Sequence, residues 1–219
     1  MERDSYFKDF TFNTLTDNVS YQIVITPNYV HTIGVANTYS TTTGILIAND
    51  TDFDNAGTYT WLNQGTPYII EAEMRIGTVG EGVTLNISPG CVIKFMETAR
   101  LVIPYAPNEV ANINAVGTST QKIIFTAYNA NPGKKDWKGL AINQGAKCNF
   151  EYCEFTHAGY TGATSGVFYL NFAGTNVSIK NSLIAHSISN GISVSSTSSV
   201  DITNGVVFDD IDLQNYYVR

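Results

Sequence analysis

Three side chains that could carry out general acid–base chemistry fall on neighbouring predicted strands of this 219-residue sequence: Glu151, Lys180 and Asp201. Stacked strands lie about 4.8 Å apart, so we expect Glu151 and Asp201, two strands apart, to lie about 10 Å from each other. Glycoside hydrolases use two carboxylates separated by roughly 5–10 Å. A solvated polar face without catalysis is the alternative, and we favour it. The outward column that we predict consists of Asn86, Asn114, Glu151, Ser178 and Asp201.

Two histidines form a second candidate site. His157 and His186 hold equivalent positions after the motifs Phe155-Thr156 and Ile184-Ala185. We therefore expect their rings about 5 Å apart on successive coils, with Asp209 at the next equivalent position. Two imidazoles beside a carboxylate could bind a metal ion or transfer a proton. Stacking of like residues at the turns of a repetitive fold would give the same pattern without any function.

Two acidic runs are candidates for calcium binding, because alternate carboxylate oxygens can hold Ca²⁺. No glycine-bearing loop of EF-hand type accompanies either run, so solvated turns are the alternative. No other cofactor is predicted. The runs are Asp209, Asp210 and Asp212 near the C-terminus, and Asp50, Asp52 and Asp54 near the N-terminus.

Several tyrosines in or near predicted loops could contact sugar rings, whose C–H faces rest well on aromatic side chains. Asn and Thr flank them and can bond sugar hydroxyls. We expect Trp137, in contrast, to pack at a corner. The tyrosines are Tyr105, Tyr128, Tyr160, Tyr216 and Tyr217.

The elements that must position these side chains are short predicted strands that recur in threes. Their alternation of apolar and polar residues is typical of strands with one buried face. Loops absorb the variation in repeat length, as in a solenoid, where each coil contacts only its neighbours. We predict one buried row formed by Ile87, Ala115, Tyr152, Ile179 and Ile202. The first strands of the coils are 83–87, 112–116, 149–153, 176–180 and 200–203.

These repeats predict an all-β fold, a parallel β-solenoid, with a β-sandwich as the alternative. Hydrophobic residues make up 43% of the chain and charged residues only 14%, and no helical stripe is evident. We predict about five coils over residues 66–219, and an irregular N-terminal β cap or small subdomain over residues 1–65 that covers the first coil.

The bulk properties exclude several classes of protein. A net charge of −7 would repel a phosphate backbone, so nucleic acid is not an expected partner. No apolar run reaches the length of about 18 residues that a membrane-spanning helix needs. Cys91, Cys148 and Cys153 have no CxxC spacing. We place Cys148 and Cys153 on opposite faces of one strand and expect all three to be unpaired thiols.

Five segments in order resemble a known family: TPYIIEAEMRI, VTLNISPGCVIKF, INAVGTSTQKIIFTA, KKDWKGLAI and NFEYCEFTHAG. They are similar to bacterial right-handed parallel β-helix proteins of the pectin-lyase-like superfamily. The resemblance covers residues 66–195 well and the C-terminal coil loosely, and it does not include the first 60 residues. It implies the fold and, for the catalytic members, carboxylates and basic groups on the outer face of one sheet.

We expect a non-catalytic, exported module of the bacterial cell surface or periplasm that binds a polysaccharide or a surface protein. A polysaccharide lyase or glycoside hydrolase is the first alternative, and a structural spacer within a longer surface protein is the second. The sequence begins Met1-Glu2-Arg3-Asp4, which lacks the basic and apolar regions of a secretory signal. Export would therefore depend on a signal outside this sequence.

Overall fold

Backbone hydrogen bonds between successive coils build three parallel sheets in the computed structural model, which describes residues 6–40, 43–48 and 52–219. In chain order the strands are β1 (Thr14–Leu15), β2 (Ile23–Ile25), β3 (Thr38–Tyr39), β4 (Ile45–Ile47), β5 (Gly57–Trp61), β6 (Tyr68–Ile70), β7 (Glu73–Arg75), β8 (Thr78–Val79), β9 (Val83–Ile87), β10 (Val92–Phe95), β11 (Arg100–Ile103), β12 (Glu109–Val116), β13 (Ile123–Ala127), β14 (Leu140–Ile142), β15 (Lys147–Glu151), β16 (Cys153–Thr156), β17 (Gly166–Leu170), β18 (Asn176–Lys180), β19 (Leu183–Ser187), β20 (Asn190–Val194), β21 (Ser199–Thr203), β22 (Val207–Ile211) and β23 (Tyr216–Val218).

From β5 onward each coil passes through the three sheets in turn, which we call sheets A, B and C. Before β5, strands β2 and β4 add to sheet B, and β1 and β3 pair as a separate two-stranded sheet. Sheet A contains β5, β9, β12, β15, β18 and β21, sheet B contains β2, β4, β6, β10, β13, β16, β19 and β22, and sheet C contains β7, β11, β14, β17, β20 and β23. The fold is a right-handed parallel β-helix, as predicted, and it has about seven turns rather than about five. A 3₁₀ helix at Pro27–Thr32 is the helical element of the described residues.

The core is a set of buried rows that continue from coil to coil along the helix axis. In β9 the burial alternates strictly, and Val83, Leu85 and Ile87 point inward. Aromatic rings stack in the same way: the Phe125 and Phe155 ring centroids lie 4.7 Å apart with an interplanar angle of 11°. Because apolar burial contributes roughly 25 cal/mol per Å², these rows are the main favourable contribution to folding.

The alignment of the predicted row is correct except in one coil, and its last member, Ile202, is only partly buried. Ile87, Ala115, Phe150, Ile179 and Ile202 are aligned by strand pairing, so Phe150 and not Tyr152 occupies the row. Tyr152 is half-buried at the corner between β15 and β16 and has a left-handed backbone, with φ 50°. This corner residue ends the strand at Glu151, two residues earlier than the sequence pattern indicated.

The sheets continue on the N-terminal side of residue 66. Strands β2 and β4 extend sheet B, and β5 extends sheet A. This gives more coils than the five that the sequence pattern resolved. The division of the chain into residues 1–65 and 66–219 stays a prediction. Sheets A and B have strands on both sides of this boundary.

The three cysteines are buried and unpaired, as expected. Burial raises the pKa of the Cys91 and Cys148 thiols to about 12 and also raises that of Cys153. The prediction that Cys148 and Cys153 share one strand is wrong. They lie in β15 and β16, on either side of the Tyr152 corner.

Gly139 and Gly174 form a matched pair for testing how closely the coils approach. Both have a left-handed backbone, with φ 81° and 80°. A Cβ on Gly139 would collide with the carbonyl oxygen of Val167 on the next coil, whereas a Cβ on Gly174 would have Gln144 Cγ as its nearest atom, at 4.0 Å.

We expect Gly139→Ala to lower the free energy of unfolding by roughly 1–3 kcal/mol more than Gly174→Ala, because only the first substitution forces the coils apart. Alanine is strained by the left-handed backbone at both positions, so the difference between the two losses of unfolding free energy measures the collision alone. Denaturant titration followed by circular dichroism measures it. Equal losses would contradict the close approach of the backbones at Gly139.

Candidate functional site

A cleft of about 440 Å³ lies on the outer face of sheet C. Its floor comes from three neighbouring strands, with Arg100 on β11, Ala141 on β14 and Tyr169 on β17. Ala141 and Tyr169 are direct partners in the β14–β17 pairing. The loop between β16 and β17 forms a wall and contributes Tyr160. The cleft has a volume typical of small-molecule and oligosaccharide sites.

Hydrogen bonds hold the wall loop against sheet C. The Asn190 side-chain amide donates to the carbonyl oxygens of Ala163 and Ser165, at 3.0 and 2.6 Å. The Ser193 hydroxyl donates to the carbonyl of Thr164, at 2.6 Å. Asn190 and Ser193 are buried beneath the loop. The wall is therefore a fixed part of the fold, and Tyr160 at its exposed edge is positioned by that backbone.

Basic side chains concentrate on this face. Glu73 accepts hydrogen bonds from Arg75 at 2.8 Å and from Arg100 at 2.6 Å. Burial opposes the ionisation of Glu73, but these two bonds hold the pKa of its carboxyl below the ordinary value. Lys138 and Arg219 contribute two further cations next to the cleft tyrosines.

Asp52 also acts on Arg75, and Glu109 Oε2 accepts hydrogen bonds from the backbone amides of Tyr105 and Ala106, so carboxylates gather at the Arg75 side of this face. The charged side chains among the described residues that line the cleft itself are Arg100 and Lys138, in a chain whose net charge is −7.

Each of three cations lies over an aromatic ring. The Arg75 guanidinium is 3.8 Å from the centroid of Tyr105, Lys138 Nζ is 5.5 Å from that of Tyr160, and the Arg219 guanidinium is 4.2 Å from that of Tyr169. Cation–π contacts of this kind orient long basic side chains along the surface. The face therefore combines positive charge with aromatic platforms.

The structure brings two of the five predicted tyrosines to this cleft and its edge. Tyr160 lines the cleft, and Tyr105 lies beside it over Arg75. Tyr128 follows β13 in sheet B, so it belongs neither to the cleft nor to the contact with Arg75. Tyr216 and Tyr217 belong to β23, the last strand of sheet C, and are not among the described residues that line the cleft. The prediction missed Tyr169, which occupies an outward position of β17 and could have been found from the alternation of that strand.

The catalytic trio lies on sheet A, away from this cleft, and its predicted register is wrong. Asn149, not Glu151, pairs with Ser178 and continues the column to Asp201. Glu151 pairs with Lys180 and accepts a hydrogen bond from the Asn181 amide at 3.2 Å. Glu151 and Asp201 are therefore two coils apart and also two residues apart along the strand, farther than the predicted 10 Å.

The two histidines stack as predicted, with ring centroids 5.0 Å apart and an interplanar angle of 25°. Their carboxylate partner is Asp210, whose Oδ2 lies 2.9 Å from His186 Nδ1. The predicted partner, Asp209, instead pairs with Ala185, the residue before His186. The left-handed corners at His157, His186 and Asp210 form one column, with φ 63°, 55° and 51°.

Lys134 ties this corner to the last coil. Its Nζ donates to both Asp210 and Asp212, and its carbonyl accepts a hydrogen bond from the Ile188 amide at 3.1 Å. Hydrogen bonds from His186 and then from Lys134 lower the pKa of Asp210. The acidic run thus holds a lysine ammonium. Over the described residues, no group of three or more His, Cys, Asp or Glu converges to hold a metal ion.

The second acidic run predicted to bind calcium lies near the N-terminus. Asn28 donates to the Asp52 carbonyl and to Asp54 Oδ1, both at 3.0 Å, which fixes this turn by side-chain bonding. Asp50 lies outside the described residues. The ring of His31 is 4.7 Å from that of Tyr59. No helix in the described parts of the chain is long and apolar enough to cross a membrane.

A comparison with known protein families identifies the fold independently. The family model described as a pectate-lyase-like beta helix domain matches residues 54–215, and the chain belongs to this family. No curated protein and no solved structure matches the chain. The resemblance found in the sequence is thereby confirmed for the fold.

The stacked histidines predict a loss of stability in acid. Burial, followed by the charge of His186, lowers the pKa of His157 below its ordinary value of 6.5. The unfolded chain then binds a proton more readily than the folded chain, so stability present above pH 6.5 is lost as the pH falls through the lowered pKa. We expect His157→Asn, which tolerates the left-handed backbone, to reduce the loss between about pH 7 and pH 5.

The midpoint of thermal unfolding, measured across this pH range, checks the expectation. His31, whose pKa burial also lowers, should leave part of the pH dependence in the variant. Identical pH profiles for the wild type and His157→Asn would contradict the assignment to His157.

Proposed function

We propose that this pectate-lyase-like beta helix domain is a non-catalytic module that binds an anionic glycan in the cleft on sheet C. We also propose that it works outside the cytoplasm, at a cell surface or in a periplasm, where such glycans are found. The observation that carries the proposal is the concentration of cations and tyrosine rings around one cleft of an acidic chain.

The cleft offers each kind of contact that an acidic sugar needs. The guanidinium of Arg100 can bond both oxygens of a carboxylate or two oxygens of a sulfate. The rings of Tyr160 and Tyr169 provide faces for sugar C–H groups. The hydroxyls of Thr161 and Thr164 on the wall loop can bond sugar hydroxyls.

The charge pattern favours an anionic ligand over a neutral one. Arg100 and Lys138 are the charged side chains among the described residues that line the cleft, and Glu73 is shared between Arg100 and Arg75, so the lining keeps a net positive charge. A local field opposite in sign to the net charge would concentrate anionic chains at the cleft and reject them elsewhere.

Binding without cleavage fits the lining better than hydrolysis does. Glycoside hydrolases use two carboxylates that flank the scissile bond, and the described residues that line the cleft include no carboxylate. Glu151, Asp201 and Lys180, the residues of the enzyme hypothesis, lie on sheet A. A structural spacer, the other alternative, would have no need for cations above tyrosine rings.

We expect Arg100→Ala to weaken the binding of oligogalacturonate by roughly 10-fold or more, because a hydrogen bond to a charged group is worth about 1.5–3 kcal/mol. Lys138→Ala should weaken it in the same sense, and added salt should weaken wild-type binding. The control is Lys122→Ala on sheet B, whose side chain is 44% exposed against 40% for Arg100 and is likewise ion-paired. Isothermal titration calorimetry with acidic and neutral oligosaccharides measures these effects.

Two results would overturn the proposal. Equal loss of affinity in Lys122→Ala and Arg100→Ala would show that binding follows net charge alone. Release of unsaturated or reducing-end products, abolished by Glu151→Gln, would show an enzyme that acts on sheet A.

A further inference from the structure

Tyr169 is the aromatic side chain on the floor of the cleft, and its two neighbours along the helix axis are small. Strand pairing places Ala141 of β14 on one side of it and Ser193 of β20 on the other. Each neighbour is one coil away, about 4.8 Å between backbones. A methyl group and a hydroxymethyl group are too short to fix the plane of a tyrosine ring, so these neighbours leave that plane to be set by another contact.

Arg219 supplies such a contact from two coils away. Its guanidinium lies 4.2 Å from the centroid of the Tyr169 ring. The backbone of Arg219 directly follows β23, and its amide donates to the Val194 carbonyl at 3.0 Å. Because β20 lies between β23 and β17 in sheet C, the long side chain reaches back over β20 and covers one face of the ring.

Hydrogen bonds fix the guanidinium beside the ring. Nη1 and Nη2 of Arg219 both donate to Asn171 Oδ1 at 3.2 Å, and Nη2 also donates to the Leu170 carbonyl at 2.9 Å. Leu170 and Asn171 directly follow Tyr169 in the chain. A planar guanidinium can bond two acceptors and stack on a ring at the same time, which an ammonium group cannot do.

The ring separates Arg219 from the cleft. Tyr169 lines the cleft, whereas Arg219 is not among the described residues that line it. A ligand in the cleft would therefore contact the ring and not the guanidinium behind it. In this respect Arg219 differs from Arg100 and Lys138, which belong to the lining and can meet an anionic group directly.

We propose that Arg219 is a positioning residue of the cleft, which fixes the plane of the Tyr169 ring against which a sugar rests. The contact with a sugar rests on the proposed function, and the fixed ring rests on the contacts of Arg219. A side chain that is already ordered loses little conformational freedom when a ligand binds. Without Arg219, the ring would have to be ordered during binding, and part of the affinity would be lost.

Two other roles for Arg219 make different predictions. As a source of positive charge, Arg219 would attract an anionic ligand whether or not Tyr169 is present, and a lysine would replace it. As a purely structural link between the last coil and β17, it would change the midpoint of thermal unfolding and leave the affinity of the folded protein unchanged.

The test is a double-mutant cycle with Arg219→Gln and Tyr169→Ala. Isothermal titration calorimetry with oligogalacturonate measures binding at a temperature where every variant is folded. We expect Arg219→Gln to weaken binding roughly three- to tenfold, the range that corresponds to one cation–π contact. In the Tyr169→Ala background the same substitution should cause no further loss, because the ring that Arg219 positions is gone.

Arg219→Lys and Asn171→Ala separate geometry from charge. Both keep the positive charge. The first removes the planar guanidinium, and the second removes the acceptor that Nη1 and Nη2 share. We expect both variants to weaken binding in the same range as Arg219→Gln. Binding as tight as that of the wild type in Arg219→Lys would overturn the inference.

A measurement without ligand distinguishes this inference from the proposed function. In the free protein, Arg219→Gln should lower the NMR order parameter of the Tyr169 ring. The ring of Tyr105, whose cation is Arg75, is the control and should keep its order parameter.

The inference is overturned if the order parameter of the Tyr169 ring stays the same in Arg219→Gln, or if this substitution costs equal affinity with and without the ring. Absence of binding by the wild type would overturn the proposed function and the contact with a sugar. A lowered order parameter would still support the positioning of the ring by Arg219.

Discussion

Parallel backbone pairing between consecutive coils is the constraint on which the other features depend. It fixes which residue of one coil faces which residue of the next, and so fixes both the buried rows and the outward columns at once. A slip of one residue would turn Ile113 and Phe150 outward and Asn114 and Asn149 inward. The apolar interior therefore enforces the register that the surface chemistry uses.

Outward-facing side chains are not constrained by packing in the core, and their chemical types differ from one sheet to another. Sheet C carries cations over tyrosine rings, and sheet A carries amides and hydroxyls in columns. The corner between sheets B and C carries the histidines and their carboxylate. The residues that carry the family resemblance lie in the core and at turns. They therefore identify the fold, whereas the ligand depends on the outward side chains of each face.

The sequence predicted the scaffold well because strand alternation is a local signal. Its errors arose at corners: Tyr152 has a left-handed backbone that ends β15, and a pattern of alternation extends through such a residue unchanged. Asp210 rather than Asp209 is the partner of His186 because the Asn204–Gly205 corner has one residue more than the Asn181 corner of the previous coil, which shifts the alignment by one. The cleft was missed because residues 160–165 fold back over sheet C through bonds to Asn190 and Ser193, contacts between distant parts of the chain that no local pattern carries.

Lys134 also has a mechanical consequence. Strands in this fold run across the helix axis, so a load applied along the axis would open the hydrogen bonds between coils one coil at a time. The Lys134 contacts to Asp210 and Asp212 run along the axis and link the segment after β13 to the last coil. The force is divided between these contacts and the backbone hydrogen bonds of β16, β19 and β22. Separation of the last coil must therefore also break the ion pairs of Lys134.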